Sequence, residues 1–286
     1  TRRHPRSERT NKTNDGRLSN VLELVVEGRL LRSWPLGELR RRHAVALVDT
    51  MLRDQGRSAT GAANILRTLS ALCEDAVTDE LLGANPFRGV RVRRTDPRAS
   101  KPSRQPRVLS WEQMHRLAAA GGKHEPMLRM LADCGLRVGE LFALRRDEQD
   151  FRAGVFCVTG SGWEGQVVGA SETKRHDRSG PIPPGCLVLL REMPARIDSP
   201  WLFPTPGGQM WRINNWYRDV WRPARKKSGI ECSPHDLRHS WVTHLRAAGV
   251  DPADLAEMAG HSIETATGRY THALGRSFDE VRRLVG

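Results

Sequence analysis

Residues 233–249 read SPHDLRHSWVTHLRAAG, and they place His235, Arg238 and His239 three and four apart. On a helix, positions i, i+3 and i+4 share one face, so the three side chains project together from its first turns. Ser233 is a suitable N-cap and Pro234 a suitable first helical residue. A solvated basic face is one account of this pattern. A His235–His239 zinc pair is another, weakened because Asp236 stands where a zincin carries glutamate and no third ligand is evident. The stretch by itself leaves the question open, and the chemistry to set against these accounts is phosphodiester cleavage without a metal. It needs a nucleophile, a proton for the departing oxygen, and fixed donors for the charge that builds on the non-bridging oxygens. Arginine suits the last task, because its planar fork meets two phosphate oxygens at once and stays charged.

The remaining parts are spread along the chain. CGLRVGEL places Arg137 just past a helix end between Gly135 and Gly139, where backbone can approach a ligand, with Glu140 able to orient it. Capping of the preceding helix is the plain alternative for Arg137, and a local salt bridge that for Glu140. ETKRHDRSGPIP places Lys174 in a turn, beside Arg175 and Arg178; a turn lysine is otherwise merely solvated. MAGHS supplies His261 after Gly260, near the start of a helix, where backbone donors favour an anion. GRYTHA supplies Tyr270, one of two tyrosines. The other, Tyr217, lies in the Trp-rich stretch MWRINNWYRDVW and reads as packing. His239 reads as support beneath the active face, and His115, His176, His244 and His272 as surface or core residues.

The elements that must hold these residues are mostly helical. Apolar residues recur at three and four in Leu18, Val21, Leu22, Val25 and Val26, in Val45, Leu47, Val48, Met51 and Leu52, and in Ile65, Leu66, Leu69, Leu72 and Cys73. They predict a bundle of about four helices over 16–90. Residues 1–15, charged and without helical spacing of apolar residues, are expected to be a disordered basic lead-in. The Pro- and Arg-rich stretch from 91 to 106 reads as a linker. From 107 the chain predicts a second domain reaching 286. It opens on a capping box of Ser110 and Gln113 and continues through a helix ended by Gly135. Short β-like runs broken by glycine between 151 and 184 predict a small antiparallel sheet. Helices follow at about 186–193, 211–227, 234–248 and 252–259, the last capped by Asp251, then a short one around 263–272 and a half-amphipathic tail. The fold class is therefore mostly α with a small antiparallel β-sheet.

Composition supplies the partner. The 286 residues hold 46 Lys and Arg against 33 Asp and Glu, a formal +13. Residues 1–106 carry 21 basic and 12 acidic side chains, a net +9, and the remainder 25 and 21, a net +4. Such an excess draws a polyanion. With no apolar run of 18 or more residues and no signal peptide, nucleic acid is preferred to a membrane surface. Arg91, Arg93, Arg94 and Lys101 in the linker, with Arg175, are the candidate contacts to a nucleic-acid backbone. The five cysteines, widely spaced and without a Cys-x-x-Cys pair, argue against a disulfide framework or zinc ribbon and for a cytoplasmic protein. The chain opens on Thr1 rather than Met, and whether a further N-terminal domain precedes it is left open.

The ordered set of Gly-Leu-Arg-x-Gly-Glu-Leu, a hairpin lysine, His-x-Leu-Arg-His, Gly-His and a late tyrosine resembles the tyrosine recombinases, or phage integrase family, over most of 107–275. The 16–90 bundle is similar to the family's core-binding domain, and the α+β part to its catalytic domain. The resemblance implies that Tyr270 attacks a DNA phosphate to form a 3′-phosphotyrosyl bond. It implies further that Arg137 and Arg238 clamp the phosphate and Lys174 protonates the departing 5′ oxygen. His235 would accept or orient the tyrosine proton, and His261 would donate to the phosphate. It implies no metal and no cofactor, double-stranded DNA as partner, and a homo-oligomer, dimeric on each site and tetrameric on paired sites. The protein would be encoded by a bacterium, phage or mobile element. Whether a directionality factor or host bending protein takes part is left open. A type IB topoisomerase and a non-catalytic DNA-binding regulator are the rival readings. The complete residue set weighs against the regulator, and the separate basic domain and tail against the topoisomerase.

Overall fold

The structure, a computed structural model, describes residues 8–93, 96, 107–168 and 178–260. The chain divides into two compact units, Thr1–Gln105 and Pro106–Gly286.

In the first unit, α1 (Glu8–Leu22), α2 (Arg41–Asp49) and α3 (Ala59–Thr78) are joined by a hairpin of β1 (Val25–Val26) and β2 (Arg29–Leu30). Two expectations are corrected here. Residues 8–15, expected to be disordered, begin α1. Their polar turns are held to α3, where the Thr68 hydroxyl donates to Asn14 Oδ1 at 3.3 Å and accepts from Arg17 Nη1 at 3.3 Å. The first helix also stops at Leu22, so the unit has three α-helices among its described residues rather than about four. Val25 and Val26 are drawn into a hairpin because Glu27 (φ 49°) and Gly28 (φ 79°) turn the chain in the left-handed region that a two-residue hairpin loop requires. A core of Val21, Leu24, Val26, Leu47, Val48, Met51, Leu52, Ile65 and Leu66 closes the unit. Beside it, the buried His43 packs at a tilt against Trp34, their ring centroids 4.2 Å apart.

In the second unit, α4 (Trp111–Ala119) starts on the expected capping box, with Gln113 N–H donating to Ser110 Oγ and Ser110 N–H to Gln113 Oε1. The elements that follow are α5 (Glu125–Asp133), α6 (Val138–Ala143), β3 (Val155–Val158), β4 (Ser161–Trp163), β5 (Gln166–Val168), β6 (Arg178–Pro181) and α7 (Pro184–Glu192). Strand β3 pairs antiparallel with β6 and β4 with β5, so the expected antiparallel sheet is present as two short ladders. Next, α8 (Ile213–Trp216) runs through one π-helical turn, Tyr217–Trp221, into α9 (Arg222–Ser228). That stretch buries Trp216, edge-on to Phe142, and Trp221, stacked on Trp216, in the unit's main core. Then come α10 (Pro234–Ala247) and α11 (Pro252–Ala259), which share a smaller core of Trp241, Val242, Leu255 and Ala259. Ser233 and Asp251 cap them as their chemistry predicts, accepting from Asp236 N–H and Ala253 N–H respectively. The expected helix around 263–272 and the tail lie outside the described residues. No helix among the described residues is long and apolar enough to cross a membrane.

Candidate active site

Arg137 is placed by a reversal between α5 and α6. Gly135 takes φ +58°, a conformation that strains a residue with a Cβ. A Cβ there would also collide with the Trp241 ring. Gly139 likewise makes room for protein: its Cβ would collide with Ser161 Oγ. Both glycines, expected to let backbone approach a ligand, instead let α10 and β4 press against the Arg137 turn. Arg137 itself is extended at the N-cap of α6, where its backbone N–H donates to Glu140 Oε2 at 2.7 Å.

Glu140 collects the charges. Its side chain is 3% exposed. Arg137 Nη1 donates to Oε1 at 2.6 Å, and Arg178 Nη2 to Oε2 at 2.8 Å. Burial, the largest single influence, pushes its pKa up. The charges of Arg178, Arg137 and Arg238 and the Arg178 hydrogen bond overcome that and hold it down to about 2. The carboxylate is therefore ionised at neutral pH. Leaving a buried charge unpaired costs about 3–5 kcal/mol, so each partner here matters to the others.

Arg238 is 1% exposed, which removes the solvated-face account for this residue. One of its nitrogens, Nη1, donates to the Gly135 carbonyl and the other, Nη2, to the Ala259 carbonyl. Arg178 Nη1 donates to the Met258 carbonyl, and Arg137 Nη2 to the Gly260 carbonyl at 3.0 Å. Three arginines from three different elements thus meet three successive carbonyls at the end of α11. The last carbonyls of a helix have no intrahelical partner, and the helix dipole leaves about half a negative charge there. That charge draws the guanidinium groups together. Arg137 does cap a helix end, but the one 123 residues further on rather than the one before it. Three guanidinium groups against one carboxylate leave the cluster with a net positive charge, and Arg137, 37% exposed, carries part of it to the surface.

On α10, His235 is exposed and His239 half-buried. Burial pushes the His239 pKa down, with Asp236 raising it and His235 lowering it further. Asp236 is occupied in capping: Oδ2 accepts from Ser233 N–H at 2.7 Å and Oδ1 from Arg107 N–H at 3.3 Å. His244 bonds the Leu109 carbonyl and stacks on Trp111, and His115 pairs with the buried Asp133 at 2.8 Å. Tyr217 is half-buried edge-on to Trp216, and burial pushes its pKa up, as suits packing. Arg91 and Arg93 are exposed. Lys174, His261, Tyr270, Arg94, Lys101 and Arg175 lie outside the described residues. Among the described residues no cluster of His, Cys, Asp and Glu could hold a metal ion.

The structure thus joins Arg137, Glu140 and Arg238 and adds Arg178, which sequence reasoning passed over. No motif marks it, and the only available signal was a charged residue in a run otherwise destined for a sheet.

The model of the phage integrase family matches residues 108–276. A tyrosine recombinase XerD from Pseudomonas putida is 32% identical over 234 residues, covering 77% of this chain and 73% of the relative. The Mycobacterium leprae protein of the same name is 28% identical over 232 residues, covering 78% and 73%. Among solved structures, the Tn1549 transposon integrase in complex with a circular intermediate DNA matches with a TM-score of 0.76 at 21% identity, covering 99% of this chain and 95% of that one. A lambda integrase dimer bound to a COC′ core site matches with a TM-score of 0.69 at 18% identity, covering 97% and 93%. At these identities the structural matches speak for the fold.

Proposed function

The chain belongs to the phage integrase family, and on that premise we propose that it is a site-specific DNA recombinase that cleaves and rejoins DNA through a covalent phosphotyrosyl intermediate. The observation that carries the reading is the cluster of Arg137, Arg178 and Arg238 about the buried Glu140, at the end of the helix that leads to His261 and Tyr270.

The chemistry follows from the residues. The Tyr270 oxygen attacks a backbone phosphorus, and a P–O bond forms on the 3′ side as the bond to the 5′ oxygen breaks. The Tyr270 proton passes to His235 or to solvent, and Lys174 gives a proton to the departing 5′ oxygen. An ordinary tyrosine has a pKa of about 10, so only about one in a thousand is ionised at pH 7. Guanidinium charge beside it favours the phenolate and also stabilises the charge that grows on the two non-bridging oxygens. Arg137 and Arg238 serve those oxygens, with His261 as a further donor. To do so they exchange the Gly260 and Ala259 carbonyls for phosphate oxygens. The phosphotyrosyl link conserves the bond energy, so a free 5′ hydroxyl can reverse the step without a nucleotide.

The partner is double-stranded DNA, and the working form is an oligomer, two copies on each site and four on paired sites. Residues 16–90 act as the core-binding domain, 91–106 as a basic linker contributing Arg91, Arg93, Arg94 and Lys101 to backbone contacts, and 107–286 as the catalytic domain. The test uses a nicked suicide substrate with wild type and Tyr270→Phe. Wild type gives an SDS-resistant protein–DNA adduct and Tyr270→Phe gives none. A wild type that binds the substrate but forms no adduct refutes the reading.

A further inference from the structure

We propose that Arg178 is a positioning residue for the cleavage step, acting on Arg137 through Glu140. The proposal rests on the recombinase reading above and adds to it a residue that no motif identifies.

Arg178 opens β6, paired with Val158 on β3. Its side chain is 3% exposed, with the guanidinium carbon 5.6 Å from the Phe156 ring centroid. It holds two partners from different elements, Glu140 Oε2 on α6 and the Met258 carbonyl on α11. A Cβ on Gly260, whose φ is +59°, would fall 2.9 Å from Arg178 Cδ, so the glycine at the end of α11 leaves space for this side chain.

The sharing of Glu140 gives Arg178 its effect on Arg137. Oε2 serves Arg178 and the Arg137 backbone N–H, which leaves Oε1 for Arg137 Nη1. Arg137 Nη2 is then turned away from the carboxylate and reaches Gly260. Without Arg178, Glu140 keeps Arg137 as its one directly bonded counter-ion. A guanidinium and a carboxylate left as a pair favour a two-bond fork. That fork would draw Nη2 back from the position where it can meet a phosphate oxygen. Arg178 also neutralises Glu140, so that Arg137 and Arg238 act on the substrate as net positive groups. Its bond to Met258, three residues before His261, ties the same unit to the segment that carries the nucleophile.

A purely structural ion pair would lower stability and nothing else. Positioning predicts a split between DNA binding and chemistry. Arg178→Met, Arg178→Lys and the double variant R178M/E140Q are compared with wild type on the nicked suicide substrate. Single-turnover adduct formation is measured per folded molecule, and DNA affinity on the same duplex. Removing a preorganised donor set slows such steps about 10²- to 10³-fold, and that is the loss expected for Arg178→Met with DNA affinity within about threefold of wild type. Arg178→Lys keeps the charge but reaches only one of the two acceptors, and it recovers part of the rate; it also serves if Arg178→Met does not fold. In the double variant the charge that Arg178 neutralises is gone, and adduct forms about tenfold faster than with Arg178→Met alone. Wild-type rates in both single variants overturn the proposal, as does a double variant no faster than Arg178→Met. Adduct formation by wild type in the same assay separates the two ideas, since its absence refutes the recombinase reading rather than the role of Arg178.

Discussion

Glu140 is the residue on which three arginines converge, and its ionisation can be read in acid. With its carboxyl at about 2 in the fold against an ordinary 4.5, the folded state binds the proton less readily than the unfolded chain. The stability this supplies is fully present above pH 4.5 and is lost as pH falls through 2. At about 1.4 kcal/mol for each tenfold change in proton affinity, the contribution is on the order of 3 kcal/mol. Urea midpoints for wild type and Glu140→Gln between pH 6 and pH 2 are therefore expected to start apart and converge in acid, and a gap independent of pH would contradict the ion cluster. Arg137 makes a different prediction, because its charge faces outward as well as toward Glu140. Arg137→Ala is expected to bind a DNA site within a few-fold of wild type and to cleave about 10²- to 10³-fold more slowly. Binding and cleavage that fell in proportion would remove it from the phosphate clamp.

At the scale of elements, the reversal between α5 and α6 is the part that everything else leans on. Gly135 supplies the left-handed turn, its carbonyl receives Arg238, and the Trp241 ring fills the space where a side chain would stand. Gly135→Ala would add about 1–2 kcal/mol for the left-handed backbone and about 1–3 kcal/mol for overpacking against Trp241. Thermal unfolding should show the loss directly, with Gly139→Ala as a comparison that presses on β4 instead. Helix ends in this unit were largely legible from local chemistry. The Ser110–Gln113 box, the Ser233 cap with Pro234, and the Asp251 cap with Pro252 all start helices where their residue types predict. These interactions join residues two or three apart, so no tertiary information is needed to see them. The hairpin at Val25–Leu30 was not legible, because its valines also fit the helical spacing of Leu18, Val21 and Leu22. Only the positive φ of Glu27 and Gly28 decides between the two periods. The polar start of α1 was missed for a similar reason: its support comes from Thr68, more than fifty residues away.

For the whole molecule the governing quantity is charge. The formal +13 is unevenly placed, with +9 on residues 1–106 and +4 on the remainder. A protein that neutralises about six to ten phosphates releases as many counterions, and its affinity falls about 10³- to 10⁵-fold between 50 and 200 mM salt. Binding to a duplex site is therefore expected to give a steep, straight log–log salt plot. A flat plot would exclude backbone contacts as the main source of affinity. Neutralising Arg91 and Arg93, both exposed, should reduce that slope by about one for each phosphate that no longer meets a guanidinium.

The sequence by itself determined the kinds of chemistry available here: the basic excess, the local caps, and the ordered arginine, histidine and tyrosine motifs that mark the family. These are properties of residue type and short spacing. The tertiary structure alone decided that Arg137 and Arg178 share one buried carboxylate, and that these two and Arg238 meet three successive carbonyls. It also decided that Gly135 and Gly139 make room for protein rather than for a ligand. Such pairings join residues far apart in the chain, and their energy exists only once burial has removed water from the charges, which spacing along a chain does not encode.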